Sequence, residues 1–205
     1  MVKSLFLKFF NNIWPMLVVF VVVNGLLRYY YLKSHRERFC FYKEVINLVI
    51  FIYIWSLFEL LTMTELNTTS LTNLVPFSEI LRYPVGSKMF YYNVLGNIII
   101  FIPFGYIIGN YVKPKNILPI VITTFITSLT VELLQLKIGR SLDVDDIILN
   151  VVGGIIGYLL YIGINAIIRK LPDGLKREWV KNLLCVIAIA LFLIYILGYW
   201  GVIFK

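Results

Sequence analysis

Six stretches of mostly apolar residues, each about long enough to cross a bilayer, divide the chain: 13–32, 45–63, 92–112, 117–136, 147–168 and 183–204. About twenty such residues in a helix span the hydrocarbon core. Only helices or closed barrels satisfy every backbone polar group there. The pattern therefore predicts an all-α fold, a polytopic transmembrane helix bundle with about six spans. Composition agrees, since 60% of the 205 residues are hydrophobic and 15% are charged, against ~25% charged in soluble domains. The expected organisation has three parts. Residues 1–44 would hold an interfacial stretch, the first span and a basic loop. Residues 45–168 would form a core of spans two to five, and residues 169–205 a second basic loop and the sixth span.

The formal net charge of +8 resides in short loops between the spans. That placement points to topology signals and contact with anionic lipid rather than to nucleic acid. One side holds Lys33, Arg36, Arg38, Lys43, Lys113, Lys115, Arg169, Lys170, Lys176, Arg177 and Lys181. The other holds Lys3, Lys8, Arg82, Lys88, Lys137, Arg140 and Lys205. The positive-inside rule assigns the richer side to the cytoplasm and turns both termini outward. The first stretch is too long for a cleaved signal peptide. Its Asn24-Gly25 pair is a potential kink, and residues 1–12 alternate lysines with bulky apolar side chains as an interfacial segment would. Two cysteines, Cys40 and Cys185, give no disulfide framework. The single histidine, His35, sits in a charged run that solvent would cover.

One long extramembrane segment, 64–91, joins the second and third spans. Its Leu74, Val75, Phe77, Ile80 and Leu81 disfavour disorder and predict a re-entrant or interfacial loop over the outer face. Polar residues gather at the same level. Asn93 and Asn97 open the third span, and Glu59 lies near the outer end of the second. Glu132 and Gln135 share a face of the fourth span, while Asp143, Asp145, Asp146 and Asn150 begin the fifth. Arg82 and Arg140 stand in the adjoining loops. Ionisable groups at this depth face a bundle interior or a wet cavity and pair with one another. Two readings stay open for the band: a satisfied network that fixes helix registry, or a polar pocket open outward. Asp143 and Asp145 could equally cap the fifth helix. Gly96, Gly105, Gly153, Gly154 and Gly157 predict close helix packing, and Pro103 predicts a kink in the third span.

Several of these residues form a pattern. The run Asn93-Val94-Leu95-Gly96-Asn97, Phe101, Pro103, Gly105 reads N-x-x-G-N-x-x-x-F-x-P-x-G. Then come Glu132-x-x-Gln135, Arg140, and Asp143-x-Asp145-Asp146-x-x-x-Asn150-x-x-Gly153, with Asn73-Leu74-Val75-Pro76-Phe77 upstream. Together they resemble the signature of VanZ-like proteins, with order and spacing intact from about residue 45 to 165. The resemblance implies a multi-pass protein of the bacterial plasma membrane that lowers susceptibility to the lipoglycopeptide teicoplanin. The compositional bias toward Ile, Asn, Lys, Phe and Tyr suits a low-GC, Gram-positive source.

Two mechanisms follow. In the first, the band binds an amphiphile, either a lipoglycopeptide or a lipid-linked cell-wall intermediate. Its contacts would be Asn73, Pro76, Phe77, Arg82, Asn93, Asn97, Glu132, Gln135, Arg140, Asp143, Asp145, Asp146 and Asn150. In the second, Glu132, Asp145, Asp146 and Arg140 act on a polyprenyl-phosphate lipid. Mg²⁺ would then be held by Glu132, Asp143, Asp145 and Asp146. The sequence has no His or Ser base constellation, so binding without a cofactor is the preferred expectation.

Overall fold

Helices occupy all six apolar stretches over the described residues. The computed structural model describes the backbone of residues 2–36, 38–62, 72–137, 139 and 141–199. Side chains are described from residue 14 onward within these, except 58–62 and 196–199. The elements are α1 (Val2–His35), α2 (Phe41–Thr62), α3 (Ser78–Arg82), α4 (Lys88–Phe90), α5 (Gly96–Val112), α6 (Leu118–Lys137), α7 (Val144–Lys170), α8 (Asp173–Lys176) and α9 (Glu178–Tyr199). A π-helical turn, Tyr91–Leu95, joins α4 to α5. Among the described residues there is no strand, and extended pairing is confined to one parallel bridge between Asn73 and Asp143. Five helical segments are long and apolar enough to cross a membrane: Trp14–His35, Lys88–Val112, Leu118–Lys137, Val144–Lys170 and Glu178–Tyr195. The second expected span is α2.

Helix ends extend past the apolar stretches where polar residues can satisfy terminal backbone groups. The third span starts at Lys88 rather than at 92, because Ser87 Oγ accepts the Phe90 N–H at 3.1 Å. The fifth starts at Val144 and takes Asp145 and Asp146 into its first turn, where carboxylates are favourable. Helix α1 runs unbroken through Asn24-Gly25, and α5 remains helical through Pro103.

The chain divides into two compact units: residues 1–56 with 171–205, and residues 57–170. In the first, Phe20 of α1 stacks on Phe51 of α2 with ring centroids 3.6 Å apart. Arg28 Nε donates to Glu44 Oε1 at 2.7 Å. The Tyr42 N–H donates to Asn182 Oδ1 at 3.0 Å and ties α2 to α9, with Cys40 and Val180 buried nearby in the same unit.

The second unit is built on α7, which packs most extensively against α5 and next against α6. Glycines permit the α5–α7 approach. A Cβ at Gly105 would overlap the Gly154 carbonyl, and one at Gly157 would overlap the Ile102 carbonyl oxygen. At Gly153 it would meet the Ile98 oxygen, whereas Gly96 has no such crowding. Helix α6 is inside out relative to a soluble helix. Thr124, Ser128, Glu132 and Gln135 are buried, while Ile122, Phe125, Ile126, Leu133 and Leu134 are exposed. Lipid supplies no hydrophobic drive between helices, so small residues and polar contacts, each worth about 0.6–2 kcal/mol, hold such bundles together. Asn150 Nδ2 donating to Ser128 Oγ at 2.8 Å is one of them.

Candidate functional site

The start of α7 organises the site. Asp143 caps this helix, its Oδ1 accepting the Asp145 N–H at 2.8 Å. Behind it, Glu132 Oε2 of α6 accepts the Asp143 N–H at 3.0 Å. Asn73 lies alongside, donating its N–H to the Leu142 carbonyl at 2.9 Å and accepting the Val144 N–H at 3.1 Å. Its amide Nδ2 donates to Asp143 Oδ1 at 3.2 Å and to Ser78 Oγ at 2.7 Å, and its Oδ1 accepts the Val75 N–H at 3.2 Å. One asparagine thus fixes both the loop's register on α7 and its next turn.

That turn passes Pro76 and reverses at Phe77, whose φ of 67° is left-handed. It points the N-terminus of α3 at Asp145. The fully buried Asp145 carboxylate accepts the Phe77 N–H on Oδ1, and those of Glu79 at 2.7 Å and Ile80 at 3.2 Å on Oδ2. These are N–H groups that the first turn of a helix leaves without internal partners. Asp145 therefore caps α3 of the loop rather than its own helix.

Beyond α3 the chain returns through Ser87 into the π turn, which carries Asn93. Its extra residue per turn rotates what precedes it relative to a plain α-helix. One turn later, Asn97 Nδ2 donates to Asp146 Oδ1. The space between loop, π turn and α7 is a cavity of about 700 Å³, lined by Thr72, Asn73, Ser78, Glu79, Ile80, Arg82, Tyr83, Asn93, Val94, Ser141, Asp143, Asp145, Asp146 and Leu149. Arg82 Nη1 donates to Glu79 Oε1 at 2.8 Å. Partial burial, then neighbouring Glu79, raises the Tyr83 phenol above its ordinary range. Burial likewise holds the Asp143 carboxyl above the usual carboxylate range, outweighing the hydrogen bonds from Asp145 and Asn73 that favour its charged form.

Of the residues singled out from sequence, Asn73, Arg82, Asn93, Asp143, Asp145 and Asp146 meet at this cavity, with Asn97 bonded to one of its walls. Glu132, Gln135 and Asn150 are buried in the bundle rather than in the cavity lining. Pro76 and Phe77 form the exposed turn, away from the lining. Arg140, and the side chain of Glu59, lie outside the described residues. Thr72, Ser78, Glu79, Tyr83 and Ser141 were not anticipated. The spacing of Glu79 and Arg82, three apart on one helical turn, was the available signal.

Among the described residues no three His, Cys, Asp or Glu side chains are grouped to hold a metal ion. The donors around the acidic cluster explain this. Both Asp145 oxygens, Asp143 Oδ1 and Glu132 Oε2 are turned onto N–H groups. The Mg²⁺ cage of Glu132, Asp143, Asp145 and Asp146 that the enzymatic alternative would need does not fit that donor set.

Comparison with known proteins adds the family. Over 70 residues, or 33% of its length, the chain is 40% identical to Protein VanZ of Enterococcus faecium. That alignment covers 43% of the relative, so the chain spans less than half of the protein it matches. No solved structure matches the chain. A family model for VanZ/LLP1 matches residues 39–169. It takes in every residue of the polar cavity and all the helices that form it, so the chain, a membrane protein by its helices, belongs to the VanZ/LLP1 family.

Proposed function

We propose that this protein lowers susceptibility to teicoplanin-type lipoglycopeptides by binding an amphiphile in the polar cavity, with the cavity facing outward from the bacterial plasma membrane. The observation that carries the reading is a space of about 700 Å³ at one end of an apolar bundle, within the usual range for ligand sites. A polar head would sit among the amides, hydroxyls and carboxylates, with its acyl chain against the apolar helix faces.

The lining also favours one class of head. Glu79, Asp143, Asp145 and Asp146 supply four carboxyl groups against the single guanidinium of Arg82 among the described residues. At ~7 Å and an effective dielectric constant of ~20, each uncompensated carboxylate opposes a phosphate by about 2 kcal/mol. The part-buried Glu79, Asp143 and Asp146 accept hydrogen bonds from hydroxyls and attract amines. A sugar- or amine-bearing lipoglycopeptide therefore suits the cavity better than a polyprenyl phosphate.

The test is expression in a susceptible Gram-positive host. The wild-type chain should raise the inhibitory concentration of teicoplanin several-fold and that of a glycopeptide lacking the acyl chain much less. Asn93→Ala with Glu79→Gln should cancel the effect at equal membrane abundance, and the purified variant should lose teicoplanin binding. Wild-type protection together with unaltered protection by the double variant would refute the cavity as the site.

A further inference from the structure

Helices α5 and α7 both begin at the polar cavity, and both end at a second one, of about 340 Å³, lined by Lys113, Pro114, Tyr158, Tyr161, Ile162, Asn165, Ala166 and Arg169. Its construction starts from a helix stop. Lys113 adopts φ 46° and donates its N–H to the Gly109 carbonyl at 3.0 Å, and Pro114 cannot continue the helix. The buried Tyr158 donates its hydroxyl to the Pro114 carbonyl at 3.2 Å, which pins the turn onto α7. Tyr161 stacks beside Tyr158 at 6.1 Å, and the small Gly109 makes room for both rings. The floor is therefore aromatic and aliphatic, with two cations on the rim.

Charge identifies the occupant. Among the described residues no acidic side chain lines the cavity, and neither Lys113 nor Arg169 forms an ion pair. The C-termini of α5 and α7 each carry about half a negative charge. Two cations over-compensate them and leave roughly one positive charge. Tyrosines at this level are typical of the bilayer interface. Exposed Val112, Ile162 and Ile167 continue the apolar surface beside the cavity. A single phosphodiester attached to acyl chains matches both the charge and the surface.

We propose that this cavity binds the phosphate of an anionic phospholipid of the phosphatidylglycerol type, its acyl chains lying along α5 and α7. The proposal is independent of what the polar cavity binds. Each lysine or arginine near a membrane surface contributes about fivefold in affinity for anionic lipid. Removing both rim cations should weaken binding about 30-fold.

The experiment is native mass spectrometry of the purified full chain in micelles, titrated with phosphatidylglycerol or phosphatidylcholine. Phosphatidylglycerol should be retained in preference, and Lys113→Gln with Arg169→Gln should lose it about 30-fold. Lys113→Arg with Arg169→Lys should keep it. Lys33→Gln with Arg36→Gln lowers the net charge equally and should also keep it. Equal retention of the two lipids by the wild type, or equal loss in the Lys33/Arg36 variant, would overturn the proposal. So would displacement by millimolar inorganic phosphate, which would mark a site for free anions. Should the Lys113/Arg169 variant fail to fold, the wild-type lipid preference and the charge-conserving variant still decide.

Discussion

Asp145→Asn should release the loop while leaving the bundle standing. The wild-type carboxylate accepts three backbone N–H groups at the start of α3. Hydrogen bonds to a charged acceptor are worth about 1.5–3 kcal/mol each. The amide is nearly isosteric, so packing is preserved, but it carries no charge and presents N–H₂ toward either Phe77 or the Glu79–Ile80 pair. Water can replace part of what is lost, because these loop bonds are only part-buried. The net cost is therefore about 3 kcal/mol, or about a hundredfold rise in the open loop population. Cleavage after Arg82 by trypsin reads that population directly when reclosing is fast. In detergent-solubilised protein, cleavage at Arg82 should accelerate by about two orders of magnitude. Cleavage after Lys115, beyond the far end of α5, should not change, nor should helical circular dichroism. Cutting at Arg82 at the wild-type rate would refute the role assigned to Asp145.

Other outcomes follow from the same geometry. Gly157→Ala places a methyl group on the Ile102 carbonyl oxygen and should destabilise by about 1–3 kcal/mol. Gly163→Ala, in open space on the same helix, should be neutral or stabilising by up to ~1 kcal/mol; reversible unfolding in mixed micelles compares them. Because burial favours its neutral form, Asp143 should contribute most to stability at pH below the ordinary carboxylate value, with the contribution lost as pH rises through the elevated folded value. Asp143→Asn should flatten the acid end of a melting-temperature profile, and a profile unchanged from wild type would count against the assignment.

Spans were legible because a bilayer demands length and apolarity, both of which a sequence displays directly. The cluster of Asn93, Asp143, Asp145 and Asp146 was legible too, since costly polar groups at one depth must meet, and Asn73 was legible through the family motif. Their division of labour was not. Whether Asp145 faces a ligand or a backbone depends on the register between Asn73 and Asp143, 70 residues apart in sequence, and spacing along one chain does not encode that pairing. Glu79 and Tyr83 were hidden for another reason. They belong to a five-residue helix and the residue after it, too short to display more than the single Glu79–Arg82 spacing. The π turn left no compositional trace, although it sets how Asn93 meets the cavity.

The backbone contact between α5 and α7 also limits how this protein can move. Where a Cβ on Gly153 or Gly157 would overlap the Ile98 or Ile102 carbonyl oxygen, the two backbones interlock at the scale of single peptide units. Surfaces interlocked in this way resist continuous sliding, and a move to the next register is one turn, ~5.4 Å. The α5–α7 pair is thus expected to act as a strut, and any opening of the polar cavity would fall to the loop anchored by Asn73 and Asp145, whose hydrogen bonds can be released one at a time.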